Sequence, residues 1–239
     1  MVRRHRGGEL FEGDSGCVVH PGLTEHIDKN QTVTKVFKSL DDKVDESKAL
    51  GILNGFPNDF IVKPIPDSIS IPPESDIRNC KLKNGPLTED YIKKNSISYQ
   101  YLGPSLDKVA VTEAYLKPLL ELLKKVIDMN SKGYSHGDIA ARNISFMNGK
   151  AYLIDVGAFE YRPGTTNYTD TSDLLKVIVR VPGFEKADED DKIILNSFAA
   201  SIPNNKNIGQ LVATIGGKRL KKRKTRRRRK QWRYTIRAQ

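Results

Sequence analysis

Apolar and polar positions change their period several times along this chain. Residues 9–110 read as short strands and loops with one helical patch. Positions 32–37 (Thr-Val-Thr-Lys-Val-Phe) alternate, which is the period-two pattern of a strand. Residues 42–53 take helical spacing instead, with Val44, Leu50 and Leu53 available for one face. Residues 54–90 hold Pro57, Pro64, Pro66, Pro72, Pro73 and Pro86, and this predicts a loop-rich insertion. Ile97, Tyr99 and Tyr101 alternate again, until Gly103-Pro104 ends that strand.

The second half reads differently. From position 112 to 130 the period is that of a helix, with Leu116, Leu119, Leu120, Leu123, Val126 and Ile127 as its apolar stripe and Gly133 just past its end. Pro118 must sit in the first turn of that helix or kink it. Two short apolar runs, 144–147 and 151–154, flank Asn148-Gly149, the strongest short-range hairpin signal. Residues 170–200 are predicted helical in two segments. One carries Leu174, Leu175, Val177 and Ile178, the other Ile193, Ile194, Leu195 and Phe198. No internal repeat is visible.

Composition sets the class. Over 239 residues, 38% are apolar and 29% charged, which fits a soluble globular protein of one domain or a tight pair of lobes. No apolar run approaches the roughly 18–20 residues of a membrane helix. The positive N-terminus has no apolar stretch behind it, so no secretory signal is expected. Cys17 and Cys80 lie far apart and match no metal spacing. With four scattered histidines they argue against a disulfide scaffold or zinc site and fit a reducing compartment.

The formal net charge is +11, but it is unevenly spread. Residues 218–239 hold 13 basic residues and no acidic one, leaving 27 basic and 29 acidic residues in a body of net charge −2. The basic character belongs to a tail. Its like charges repel and it offers almost nothing to bury, so it is expected to stay disordered alone. Such a polycation suits nucleic acid, a capsid or an anionic membrane surface, or serves as a nuclear localisation signal. Trp232 and Tyr234 lie within it, available to stack on bases, to sit at a bilayer interface or to cover the folded body.

The candidate chemistry lies in the second half. His136-Gly137-Asp138 and Asn143 follow the long helix and precede the hairpin, and Asp155-Val156-Gly157 follows its second strand. Asp138, Asn143 and Asp155 therefore fall at one end of the hairpin. Phosphoryl transfer from ATP needs such a group. One carboxylate holds the attacking hydroxyl in line, while a carboxylate and an amide oxygen hold Mg²⁺ against the phosphates.

The order His-x-Asp-x-x-x-x-Asn, hairpin, Asp-x-Gly resembles the protein kinases. The resemblance spans about residues 9–200. It implies a bilobal α+β fold with an N-lobe over 1–102, a reduced C-lobe over 103–215 and the tail at 216–239. It implies ATP in the cleft between lobes, with Asp138 positioning the acceptor hydroxyl and Asn143 and Asp155 as Mg²⁺ ligands. Lys35 in the alternating strand looks like the lysine that pairs with the phosphates. Glu46 looks like its helix partner, with Asp42 and Asp45 as competitors. Gly13, Gly16 and Val18 fit the second half of the kinase glycine-rich loop, with Phe11 where its first glycine would be. Tyr99 would be the gatekeeper, and the backbone of Gln100 and Leu102 would face adenine.

Several positions depart from the family. Gly137 replaces the arginine of His-Arg-Asp, so control by activation-loop phosphorylation through that arginine is not expected. Ala140 stands where serine/threonine kinases carry lysine. Asp-x-Ala-Ala-Arg-Asn instead looks like the tyrosine-kinase loop, in which Arg142 would neutralise the γ-phosphate. No Ala-Pro-Glu follows Asp155. Asp173 resembles the helix aspartate that anchors the catalytic loop. In size the chain is similar to the small atypical kinases of the KEOPS and RIO type, and His-Gly-Asp also occurs in aminoglycoside and choline phosphotransferases.

The tail looks like those common on proteins of large nucleocytoplasmic DNA viruses, and the segment from Gly13 to Leu23 looks like that of the serine/threonine kinases predicted in them. That likeness implies a protein substrate and a place in the virion, the infected-cell cytoplasm or, through the tail, the nucleus. Two alternatives stay open. One is a virion structural protein with a kinase fold and little or no activity, and the other is a small-molecule kinase. The oligomeric state is left open.

Overall fold

The computed structural model describes residues 10–12, 15–19, 32–65, 80–82 and 87–184. They form a mixed α+β structure of short helices and small antiparallel sheets, the class expected from the sequence. The first sheet runs in the order β1 (Leu10–Glu12), β2 (Gly16–Val19), β3 (Thr32–Phe37), β4 (Ser96–Gln100), all antiparallel. The alternating segment with Lys35 is indeed a strand, and it occupies an interior place. Lys35 lies opposite Val18 on one side and Ile97 on the other.

Period-two burial is broken in β4, where Ser98 is buried although polar. Its hydroxyl meets that of Thr34, its register partner, at 3.1 Å, so two polar groups are satisfied inside the sheet. The polypeptide at 61–65 adds a further edge contact. Pro64 bridges to Tyr99, and Ile65 N–H donates to Ser98 O at 2.9 Å.

Helix α1 spans Leu40–Asn54, with Ser39 as its N-cap accepting from Asp42 N–H. Its buried residues are Glu46, Ala49, Leu50 and Leu53. The expected face included Val44, which is instead exposed. The true stripe is one step round, at i, i+3, i+4 and i+7 from Glu46, and it buries a carboxylate. A second short helix, α2 (Glu89–Lys94), closes the region expected to be loop; Ile92 packs with Val19 and Val36 against the sheet.

The two cysteines correct the sequence reading. Cys17 on β2 and Cys80 form a disulfide with Cα atoms 6.0 Å apart, and both are buried. Spacing alone does not reveal such a pair, because 63 residues separate the partners and only the fold brings them together. The bond ties strand β2 to the end of the proline-rich insertion. Reduction, or the Cys17→Ser/Cys80→Ser variant, is expected to lower unfolding stability by about 2–4 kcal/mol, mainly by freeing the unfolded chain. Urea titration with and without a dithiol measures this, and identical midpoints would show that the bond contributes nothing.

Helix α3 (Leu116–Ser131) has Pro118 in its first turn and buries Leu116, Leu119, Leu120, Leu123 and Val126 of the expected stripe, while Ile127 is only half-buried and Leu122 and Met129 are buried in addition. Leu119, Leu122, Leu123, Val126 and Met129 are almost wholly buried. Each such side chain contributes about 1.5–3 kcal/mol by leaving water. The loop after α3 holds the short strand β5 (Tyr134–Ser135), which pairs with β8 (Glu160–Tyr161). Between them stands the predicted hairpin, β6 (Ile144–Met147) and β7 (Lys150–Leu153). Its turn residues Asn148 and Gly149 have φ of 53° and 74°, the left-handed pair that a two-residue hairpin demands. Helix α4 (Thr169–Ile178) follows.

Among the described residues, those up to Val111 with Lys117–Val177 make one compact unit. Thr112–Leu116 and residues 178–184 belong to another, whose local bonds include Tyr115 N–H to Thr112 O and Val181 N–H to Ile178 O. No helix among the described residues is long and apolar enough to cross a membrane. The predicted segment at 193–198 and the basic tail lie outside the described residues.

Candidate functional site

Lys35 is the centre of the site. On an interior strand the residue is only 6% exposed, a position tolerated for a lysine only when its charge is matched. It is matched twice. Nζ donates to Glu46 Oε2 at 2.5 Å and to Asp155 Oδ1 at 2.8 Å. Burial would pull the lysine's pKa down, but the two carboxylates hold it above its ordinary value. Asp155 shows the mirror effect. Burial pushes its carboxyl up, yet Lys35, with help from Arg142, keeps it below the usual range and ionised.

Glu46 reaches Lys35 because it lies on the buried face of α1. The competing carboxylates do other work. Asp42 accepts from the Ser39 hydroxyl at the helix start, at 2.6 Å, and Asp45 pairs with Lys48 on the surface at 3.0 Å. The second oxygen of Glu46 accepts the hydroxyl of Tyr99 at 2.5 Å. Burial and the negative charge of Glu46 push that phenol far above its usual pKa, so it stays a donor.

The loop from His136 to Asn143 is held from beneath by one carboxylate, and here the structure corrects the sequence reading. The anchor is Asp170, not Asp173. Asp170 Oδ2 accepts from His136 N–H (2.6 Å), the Ser135 hydroxyl (3.0 Å) and Asn130 Nδ2 (3.2 Å), while Oδ1 accepts from Gly137 N–H (3.0 Å). Asp173 only pairs with Lys176 on the helix surface at 2.7 Å. His136 is fully buried, and burial keeps it below its usual pKa despite Asp170, Asp155 and Asp138 nearby, so it is neutral and donates from Nε2 to Ile154 O at 3.2 Å.

Gly137 explains the missing arginine. Its φ is +81°, and a Cβ there would lie 2.6 Å from Ala158 O. No other residue fits without moving the backbone that carries Asp138.

Above this base both carboxylate oxygens of Asp138 are hydrogen-bonded, although its side chain is 43% exposed. Arg142 Nη2 donates to both of its carboxylate oxygens at 2.8 Å, and Asn143 Nδ2 donates to its backbone O and to Oδ2 at 2.9 Å. Asp155 has φ of +62°, a left-handed conformation that aspartate adopts more readily than most residues. A cavity of about 270 Å³ opens here, lined by Glu46, Asp138, Asp155 and Gly157 with Asp42 and Asp45 of α1 and Ser15 before β2.

The structure thus brings Lys35, Glu46, Asp138, Arg142, Asn143 and Asp155 into one region. Val18 lies beside Lys35 in the sheet. Gly16 is in β2, where a Cβ would come within 2.8 Å of Val36 O, so strand packing by itself requires a glycine there. Gln100 and Leu102 line a different cavity, of about 380 Å³, with Ile61, Val62 and Tyr152. Gly13 lies outside the described residues.

Among the described residues no three His, Cys, Asp or Glu side chains cluster as a metal cage. The donors present, the Asp155 carboxylate and the Asn143 amide oxygen, are hard oxygens. They suit Mg²⁺, which is commonly held by one or two carboxylates and completed by substrate phosphates and water. One participant and one contact escaped the sequence reading. Asp170 carries no distinguishing spacing, and the Tyr99–Glu46 bond joins residues 53 positions apart. No protein-family model matches this chain, and no curated protein matches it either.

Proposed function

We propose that this protein is an ATP-dependent phosphotransferase of protein-kinase-like, bilobal fold with a reduced C-lobe, which passes the γ-phosphoryl group of ATP to a serine or threonine hydroxyl of a protein. The observation that carries the reading is the double ion pair of Lys35 with Glu46 and Asp155. A strand lysine, a helix carboxylate and a carboxylate after a distant hairpin meet within 2.8 Å of one nitrogen. A buried ammonium is costly to keep for stability alone. Poised beside a half-exposed carboxylate and a cavity, it serves phosphate.

In this reading Lys35 holds the phosphates and Glu46 fixes Lys35. Asp155 and Asn143 would hold Mg²⁺, whose contribution is to neutralise charge on the phosphate oxygens. Asp138 takes the acceptor hydroxyl in line with the γ-phosphorus. To do so it releases one oxygen from Arg142, whose side chain is 61% exposed and free to turn toward the charge developing on the transferred group. Gly13, Gly16 and Val18 would cover the phosphates, with Gln100 and Leu102 at the adenine side. The basic tail would tether the enzyme to an anionic surface, in a virus-infected cell or virion.

Mg-ATP at about 100 times its dissociation constant should stabilise the protein by about 2.7 kcal/mol, read as a thermal shift. ATP without Mg²⁺ should give much less. No shift at any concentration would sink the nucleotide reading. It would favour a kinase-fold structural protein, which the placement of Gln100 and Leu102 on another cavity also suits. ATP turnover with a metabolite and none with proteins would mark a small-molecule kinase.

A further inference from the structure

Glu46 has two oxygens, and the structure gives each one partner. Lys35 takes Oε2 and the Tyr99 hydroxyl takes Oε1, both at 2.5 Å. All three residues are buried. A carboxylate with a single partner can turn about its terminal torsion, because such sp³–sp² bonds have broad minima. With Tyr99 on one oxygen, the other is directed at the ammonium.

Tyr99 is itself fixed. It pairs with Val33 of β3 in the sheet and bridges to Pro64 on its other side. Its phenol stays protonated at any physiological pH, since burial and Glu46 oppose its ionisation.

We infer that Tyr99 is a positioning residue, whose hydroxyl sets Glu46 and, through Glu46, aims the Lys35 ammonium at the phosphates. The place at the back of the cleft that sequence reasoning assigns to Tyr99 is steric; the hydrogen bond gives it a second task. By sharing the negative charge of Glu46 it also leaves Lys35 capacity to take a phosphate oxygen as a further partner. This inference rests on the phosphotransferase reading for its ligand, but the Tyr99–Glu46 coupling has consequences in the protein alone.

The test is a double-mutant cycle on the full-length chain with Tyr99→Phe, Glu46→Gln and both together, read as Mg-ATP affinity by calorimetry. Phenylalanine keeps the ring and its packing and removes only the hydroxyl. Each single change is expected to weaken Mg-ATP by about tenfold, the scale of one hydrogen bond to a charged group. The double variant should bind no more weakly than Glu46→Gln, because Tyr99 acts through Glu46. Urea unfolding of the same four proteins without nucleotide should show the same non-additivity.

Losses that simply multiply in the double variant would overturn the inference, as would Tyr99→Phe binding like a wild type that itself binds Mg-ATP. A wild type with no Mg-ATP affinity is a different result. It overturns the phosphotransferase reading, and the inference with it.

Discussion

Exchanging Asp155 for asparagine is expected to cut phosphoryl transfer from ATP by about 10²–10³-fold, the usual cost of removing one group that stabilises transition-state charge. Asparagine is the informative replacement. Asp155 sits at φ +62°, which asparagine tolerates and alanine does not, so the backbone keeps its path. The side chain is 47% exposed, and Lys35 retains Glu46 at 2.5 Å, so the buried ammonium is not left alone. What disappears is a negative charge that would face Mg²⁺. The measurement is radiolabelled ATP with candidate protein acceptors, wild type beside variant, at several Mg²⁺ concentrations. A loss that rising Mg²⁺ partly restores fits a ligand role. Transfer at the wild-type rate would remove Asp155 from the mechanism and leave the ion pair with Lys35 as a structural contact.

How much of this site the sequence discloses depends on the range of each interaction. The hairpin is local, and Asn148-Gly149 announces it because two successive residues with positive φ suit few other pairs. The strand of Lys35 is legible from alternation, while Lys35 and Glu46 themselves are singled out by the family resemblance; the burial of Glu46 becomes legible only once the helix face is drawn through Ala49, Leu50 and Leu53 instead of Val44. Drawing that face through Val44 treats the most apolar positions as the buried ones, and α1 breaks this rule by burying a carboxylate whose counterion lies on another element. Long-range pairings left no such trace. Nothing near Cys17 points to Cys80, and nothing near Tyr99 points to Glu46. Individual strands and helices followed from periodicity, and the mixed α+β class from the family resemblance; the pairing of polar groups across the fold followed from neither.

Gly137 and Gly16 show that one residue type can carry two meanings. In a phosphate-binding frame Gly16 reads as a gap for ATP, but the carbonyl of Val36 already requires it. Gly137 reads as a lost arginine, and the structure gives a positive reason for it: the chain turns left-handed there so that two successive N–H groups, of His136 and Gly137, reach a single carboxylate. The same turn delivers Asp138 to the cavity. Loop geometry, not the identity of the missing side chain, explains the substitution.

That carboxylate supports the largest stability effect expected in the molecule. Replacing Asp170 with alanine should lower the unfolding free energy by about 3–5 kcal/mol. Asp170 is 1% exposed and receives four donors, two from backbone and two from Ser135 and Asn130. Alanine leaves these donors without their acceptor, and the three on the buried residues Asn130, Ser135 and His136 each cost about 1–3 kcal/mol before relaxation. Asn130 would suffer less than the rest, since it also donates to Tyr134 O and accepts from Thr171. The control is Asp173→Ala. It breaks only a surface pair with Lys176 and should stay within about 0.5 kcal/mol of the wild type. Urea titration of both variants separates them. If the two changes cost the same, Asp170 is not the anchor, and the position of Asp138 must be set by something other than the floor of its loop.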